Sequence, residues 1–248
     1  MSIRTLSSIV LLSFLKLNDP SLVAQEIEKT NGKDWNIPKS PLWNELIKES
    51  IPEWMIDAKF GMYTHWGIYS VPAHGGPDYV KELYSPNGVD RKGVKKYHEN
   101  KYGPVEDFGY KDFIPIFNAP KFDAQEWVSI MNNGGAKFAG ICLAHHDGFC
   151  LWDSKYTKWD SMDMGPKRDI FGEIAAEVRK TDMKLLATFH MARSYGYMFS
   201  KDHTAEERKI WDIYDEENDW IYRNPQTEPK ENFAAEWAYK VREVINKY

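Results

Sequence analysis

Cysteine is scarce in this 248-residue chain. Cys142 and Cys150 are the only two, which excludes a scaffold held by several disulfides. Basic charge is not in excess: 32 Lys and Arg stand against 37 Asp and Glu, a net charge of -5. That balance gives no general basic face of the kind that grips nucleic acid. Long apolar runs are lacking too. The stretch at residues 6–15 is about ten residues long, too short to cross a bilayer, and no later segment reads as a span. No glycine-rich phosphate cradle of the GxxxxGK[ST] or GxGxxG type is present. What the chain does have is aromatic surface: 10 Trp, 14 Tyr and 12 Phe, 15% of all residues. Tyr and Trp offer flat apolar faces with a polar edge, and most of these are expected to pack a core. With 42% hydrophobic and 28% charged residues, usage is that of a globular protein rather than of a disordered one.

The N-terminus carries Arg4, then the apolar stretch 6–15, closed by Lys16, Asn18, Asp19 and Pro20, with Ala24 as a small residue at a plausible cleavage point. This pattern predicts a signal peptide over residues 1–24, and hence a secreted or periplasmic protein. A helix of the folded domain is the alternative. Residues 25–51, polar with scattered Trp35, Pro38, Pro41 and Trp43, read as a lead-in segment.

From residue 58 the pattern alternates. Residues 58–67 read as a strand. Residues 123–133 read as a helix capped by Asp123, with Trp127, Ile130 and Met131 at helical spacing and Gly134-Gly135 as its stop. The nearly continuous apolar run 136–144 suits a strand covered on both faces. Residues 169–180 place Ile170, Ile174 and Val178 on one helical face. Residues 183–189 form a third strand. Residues 233–248 form a third helix, with Val241, Val244, Ile245 and Tyr248 on one stripe. Alternating strands and helices argue for an α/β fold with a parallel sheet. The long connections, 68–122 and 193–232, both follow strands. The helix-to-strand connections are short. That asymmetry favours a βα-barrel with its site on the C-terminal face of the strands, over an open doubly wound sheet. The charged stretch 206–219 reads as a solvated face.

Four of the seven histidines sit at strand ends: His65 after the first, His145 and His146 after the second, His190 after the third. In a barrel these ends converge. Imidazole is a common metal ligand. However, adjacent His145 and His146 point to opposite faces along a regular strand, so they chelate poorly unless the strand ends there. Neutral imidazole also offers one donor and one acceptor, which suits the hydroxyls of a polyol. Trp66, Tyr84 and Phe149 could then cover an apolar sugar face, a reading that better fits the aromatic excess.

Several motifs in order carry a resemblance. Lys59-Phe60-Gly61, His65-Trp66-Gly67 and Tyr69-Ser70-Val71-Pro72-Ala73 come first. Phe117-Asn118-Ala119 with Phe122-Asp123 and Trp127 follow. Then come His145-His146-Asp147-Gly148-Phe149, Leu151-Trp152-Asp153-Ser154 with Thr157, and Gly165-Pro166-Lys167-Arg168-Asp169. Over residues 52–248 the chain resembles the alpha-L-fucosidases of glycoside hydrolase family 29. The resemblance implies a (β/α)8 catalytic domain that releases terminal alpha-linked L-fucose from a fucosylated glycan or glycoside with retention, without metal or other cofactor. It implies that His65, His145 and His146 hold fucose hydroxyls, with His190 as a further sugar contact beside the Trp66 read above. The family's Glu-Trp-Tyr motif has its nearest match in Glu82-Leu83-Tyr84, where Leu83 replaces the Trp. Asp147 and Asp153 read as turn and supporting residues rather than as the nucleophile.

The resemblance further implies a nucleophilic Asp on a fourth strand and an acid/base Glu later still, both beyond Tyr248. On that reading residues 52–248 supply three βα units of a fold that needs eight. The expectation is therefore a truncated barrel that is inactive alone. A non-catalytic fucose-binding protein and a metal-dependent hydrolase using the histidines are the alternatives.

Overall fold

The structure is a computed structural model and describes residues 48, 50–86, 89–191, 194, 203–210 and 230–248. The expected signal peptide and nearly all of the lead-in lie outside the described residues, as do residues 211–219 of the charged stretch. Among the described residues no helix is long and apolar enough to cross a membrane.

Three parallel strands form one sheet in the order β1 (Met62–Thr64), β2 (Phe138–Ala144), β3 (Lys184–Phe189). The first strand is much shorter than the predicted 58–67. Residues Glu53–Ala58 form a helix, α1, and Lys59 takes a left-handed φ of 57° that ends it. Aromatic and apolar content alone could not separate that turn from the strand behind it. The other two strands fall within a residue or two of their expected ends.

Between β1 and β2 the long connection is itself structured. It holds α2 (Tyr79–Leu83), α3 (Val94–Tyr102) and three single 3-10 turns, and then α4 (Ala124–Asn133). The Asp123 side chain accepts from the Glu126 amide at 3.0 Å, satisfying one of the free N–H groups at the start of α4. The buried face of α4 is Ala124, Val128 and Met131, with Trp127 half-buried. Ile130, expected inside, is 58% exposed. Helix α5 (Ile170–Val178) is capped by Asp169, which accepts from Gly172 at 2.9 Å. Ile170, Ile174 and Val178 are fully buried as the spacing predicts, each contributing about 2 kcal/mol of apolar burial.

Strand β2 is the spine of the sheet. Met62 pairs with Ala139 on one side, and Leu185 pairs with Ala139 on the other. Gly140 is required there: a Cβ would lie 1.8 Å from the Leu186 carbonyl oxygen on β3. Beyond β3 the described residues form α6 (Ala205–Ile210) and α7 (Lys230–Lys247). The face of α7 that turns inward carries Phe233, Lys240 and Val244, with Trp237 and Tyr248 half-buried. Ile245, on the predicted stripe, is 46% exposed.

Candidate active site

The C-terminal ends of the three strands bring the four histidines together. His65 leaves β1, His145 and His146 leave β2, and His190 follows β3. The His190 amide donates to the Ala144 carbonyl at 2.9 Å, which extends the β2–β3 ladder by one step and sets the third histidine beside the second. Ring centroids lie 5.4 Å apart for His65 and His145, and 4.5 Å for His65 and His190. His145 and His190 stack nearly parallel at 5.2 Å. His146 is 4.8 Å from His145 and 6.2 Å from His190. The adjacent pair reaches one site because β2 ends at Ala144 and its strict alternation ends with it.

His145 is the buried member at 6% exposure. Burial, then the neighbouring His146, His190 and His65, push its pKa down to about 3. His65 is lowered as well, by burial and then by His190. These imidazoles are therefore neutral near pH 7, each with a donor and an acceptor. The Tyr63 hydroxyl is hydrogen-bonded to His65 Nε2 at 3.2 Å, and the Tyr69 ring meets His145 edge-on at 5.3 Å. Tyr63 and Tyr69 are neighbours of the cluster that sequence reasoning did not select. Alternation along β1 is the signal that would have found Tyr63, two residues before His65.

The loop after β2 is held from below. Tyr110 donates to Asp147 at 2.7 Å and the Phe149 amide donates to its other oxygen at 3.3 Å. Burial raises the Asp147 pKa to about 6. Gly148 takes a φ of 80°, a conformation that L side chains rarely adopt. The His-His-Asp-Gly-Phe block thus holds two ligand-type side chains, a buried tether and a glycine turn.

The other sequence candidates lie elsewhere. The Trp66 ring packs within 5.0–5.3 Å of Phe117, Phe122 and Trp127 and lines an apolar cavity of about 490 Å³ with them. Tyr84 is 2% exposed, so its ring has no open face. Its hydroxyl accepts from the Tyr110 amide at 2.8 Å, and its carbonyl accepts from His203 at 2.7 Å. Glu82 is buried on α2, with Oε2 lacking a hydrogen-bond partner among the described residues.

The remaining motifs build the frame around the site. Arg168 donates to both oxygens of Glu173, one at 2.8 Å, and to the Phe122 carbonyl at 3.0 Å, which joins the entry of α4 to α5. Glu243 on α7 accepts from Trp152 Nε1 at 2.9 Å, from Ser154 Oγ at 2.7 Å and from the Lys155 amide at 3.0 Å. Lys247 pairs with Asp153 at 2.6 Å.

A family model described as alpha-L-fucosidase matches residues 27–248. The chain belongs to the alpha-L-fucosidase family. The match reaches back into the segment read above as a lead-in. Among curated relatives, the alpha-L-fucosidase of Dictyostelium discoideum is 31% identical over 182 residues, 71% of this chain and 39% of that protein. Human plasma alpha-L-fucosidase is 33% identical over 174 residues, 68% of this chain and 36% of that protein. The chain thus spans well under half the length of these fucosidases. A Thermotoga maritima alpha-fucosidase solved with a mechanism-based inhibitor superposes with a TM-score of 0.61 at 32% identity, over 82% of this chain and 46% of the other. A structure of the Thermotoga maritima alpha-fucosidase with fucose gives 0.55 at 32% identity, over 68% and 44%.

Proposed function

We propose that the histidine cluster holds the L-fucosyl unit of an alpha-L-fucoside, and that the three βα units are the first three of a (β/α)8 fucosidase barrel. The observation that carries this is the convergence of His65, His145, His146 and His190 from three successive strand ends. Imidazole nitrogens at that spacing can donate to or accept from a ring of hydroxyls. The relatives named for alpha-L-fucosidase, and the neighbour solved with fucose, support the choice of sugar.

Retaining hydrolysis needs two carboxyl groups about 5 to 5.5 Å apart, one free to attack and one to shuttle a proton. Four described carboxylates between β2 and α5 are otherwise engaged. Asp147 is buried against Tyr110. Asp153 pairs with Lys247. Asp160 accepts the amides of Met162 and Asp163 at 2.8 and 2.9 Å. Asp169 caps α5 and also accepts from the Tyr248 hydroxyl at 2.5 Å. On this reading the described residues hold the sugar, and none of these four carboxylates serves as the nucleophile.

Two measurements on the purified chain test this. Calorimetric titration with L-fucose gives binding that His146→Ala weakens, and an aryl alpha-L-fucoside is not hydrolysed. Binding that is indifferent to His146→Ala would remove the sugar role of the cluster. Measurable turnover would show that a described or neighbouring carboxylate acts as nucleophile.

A further inference from the structure

We propose that His65, His145 and His190 also form a site for a zinc-class divalent cation, and that a bound cation excludes the sugar. The exclusion rests on the fucose reading above; the metal site does not. One ligand nitrogen from each ring lies within 4.8 Å of the others. Three imidazoles from three different strands are the ligand set of an open zinc site, in which a fourth position is left to water or to an oxygen ligand.

Nitrogens on a tetrahedral zinc, at about 2.1 Å from the metal, sit ~3.4 Å apart. The triad must therefore contract by roughly 1.4 Å at its widest to close on an ion. The side chains that would move are favourably placed. His145 is buried, whereas His65 and His190 are only half-buried, which leaves their rings more room to rotate towards an ion.

A further observation points to a ligand. Nδ1 of the 6%-exposed His145 is buried without a hydrogen-bond partner among the described residues. A buried polar atom left unsatisfied is costly, and a ligand relieves that cost. The Tyr63 hydroxyl on His65 Nε2 would orient that ring if its Nδ1 takes the ion. The donor set selects the cation. Imidazole suits Zn²⁺, Ni²⁺ and Cu²⁺, while Mg²⁺ and Ca²⁺ prefer oxygen. Exclusion follows because the lone pairs that would bind the ion are the acceptors a fucose hydroxyl would use.

The test is calorimetric titration of the tag-free, chelator-treated chain with zinc chloride. Cobalt(II) serves as a spectroscopic probe of a tetrahedral nitrogen site. One zinc per chain is expected, with visible cobalt bands. Losing an outer partner of a metal site alone costs tenfold or more in affinity, so His190→Ala should weaken zinc binding by at least about that factor. His74→Ala, whose ring stacks on Tyr97 outside the triad, should leave it unchanged. His65→Ala repeats the test should His190→Ala lose its circular-dichroism signature. Zinc affinity unchanged in both triad variants, or a ratio far below one, overturns the metal site. L-Fucose should displace the cobalt spectrum. If zinc binds and L-fucose binds by calorimetry without displacing it, the exclusion alone fails; if L-fucose does not bind the metal-free chain, the sugar reading fails. If fucose binds and zinc does not, the metal inference alone fails.

Discussion

At the scale of single residues, burial decides how the histidines behave. An ordinary imidazole is charged at pH 5, and a charged imidazole has two donors and no acceptor. His145 is held neutral by burial, and by three neighbouring imidazoles that each disfavour a charge. Its ring signals in NMR should therefore be flat from pH 8 to pH 5; a midpoint near 6.5 would show that the pocket is wet. The same depression links to stability. The contribution of His145 is complete above its unfolded value of 6.5, and is lost as pH falls from there towards about 3. Asp147 works in the opposite sense. Its pKa is raised from 3.8 to about 6, so its contribution is complete below 3.8 and is lost as pH rises through 6. The positions of the four histidines were legible because a strand end can be read from local pattern. The burial of Tyr84 and the tether from Tyr110 to Asp147 were not, because they depend on contacts 26 and 37 residues apart along the chain.

At the scale of elements, apolar spacing named the packed face fully in α5, all but Ile130 in α4, and misplaced it in α7, where polar groups set the docking. Helix α5 buries the three residues its spacing names. Helix α7 instead docks on Glu243, whose carboxylate collects three donors from the segment Trp152, Ser154 and Lys155. Its inward stripe is Phe233, Trp237, Lys240, Val244 and Tyr248, rotated from the one predicted from Val241 and Ile245. Lys240 can occupy that stripe because Glu236, one turn earlier, pairs with it at 2.6 Å. Glu243→Ala would leave the indole N–H of the fully buried Trp152 and the Ser154 hydroxyl without their acceptor. Hydrogen bonds to a charged group contribute about 1.5 to 3 kcal/mol. The variant should lose roughly 2 to 3 kcal/mol of stability in urea denaturation. Glu243→Gln, which keeps the acceptor oxygen, should lose less. Equal losses in both variants would assign the effect to charge rather than to the shared acceptor.

At the scale of the whole molecule, the parallel order β1-β2-β3 was legible from the strand-helix rhythm and from right-handed crossover rules. The extent of each strand was not, since a short edge strand and a turn share the same aromatic composition. The sheet is asymmetric in its covering. Every residue of β2 from Ala139 to Ala144 is buried, whereas every residue of β1 and β3 is half-buried or exposed. Each outer strand has a single strand partner among the described residues. In a closed barrel every strand has two, and their amides are protected alike. Hydrogen exchange on the 248-residue chain should therefore be slowest in β2. It should be fast at the β3 amides that point away from β2, beginning near the exposed Lys184. Exchange in β3 as slow as in β2 would mean that another strand, from this chain or from a second copy, completes the sheet at that edge. It would also place His190 in the interior of a wider sheet, beside whatever carboxylates the added strand carries.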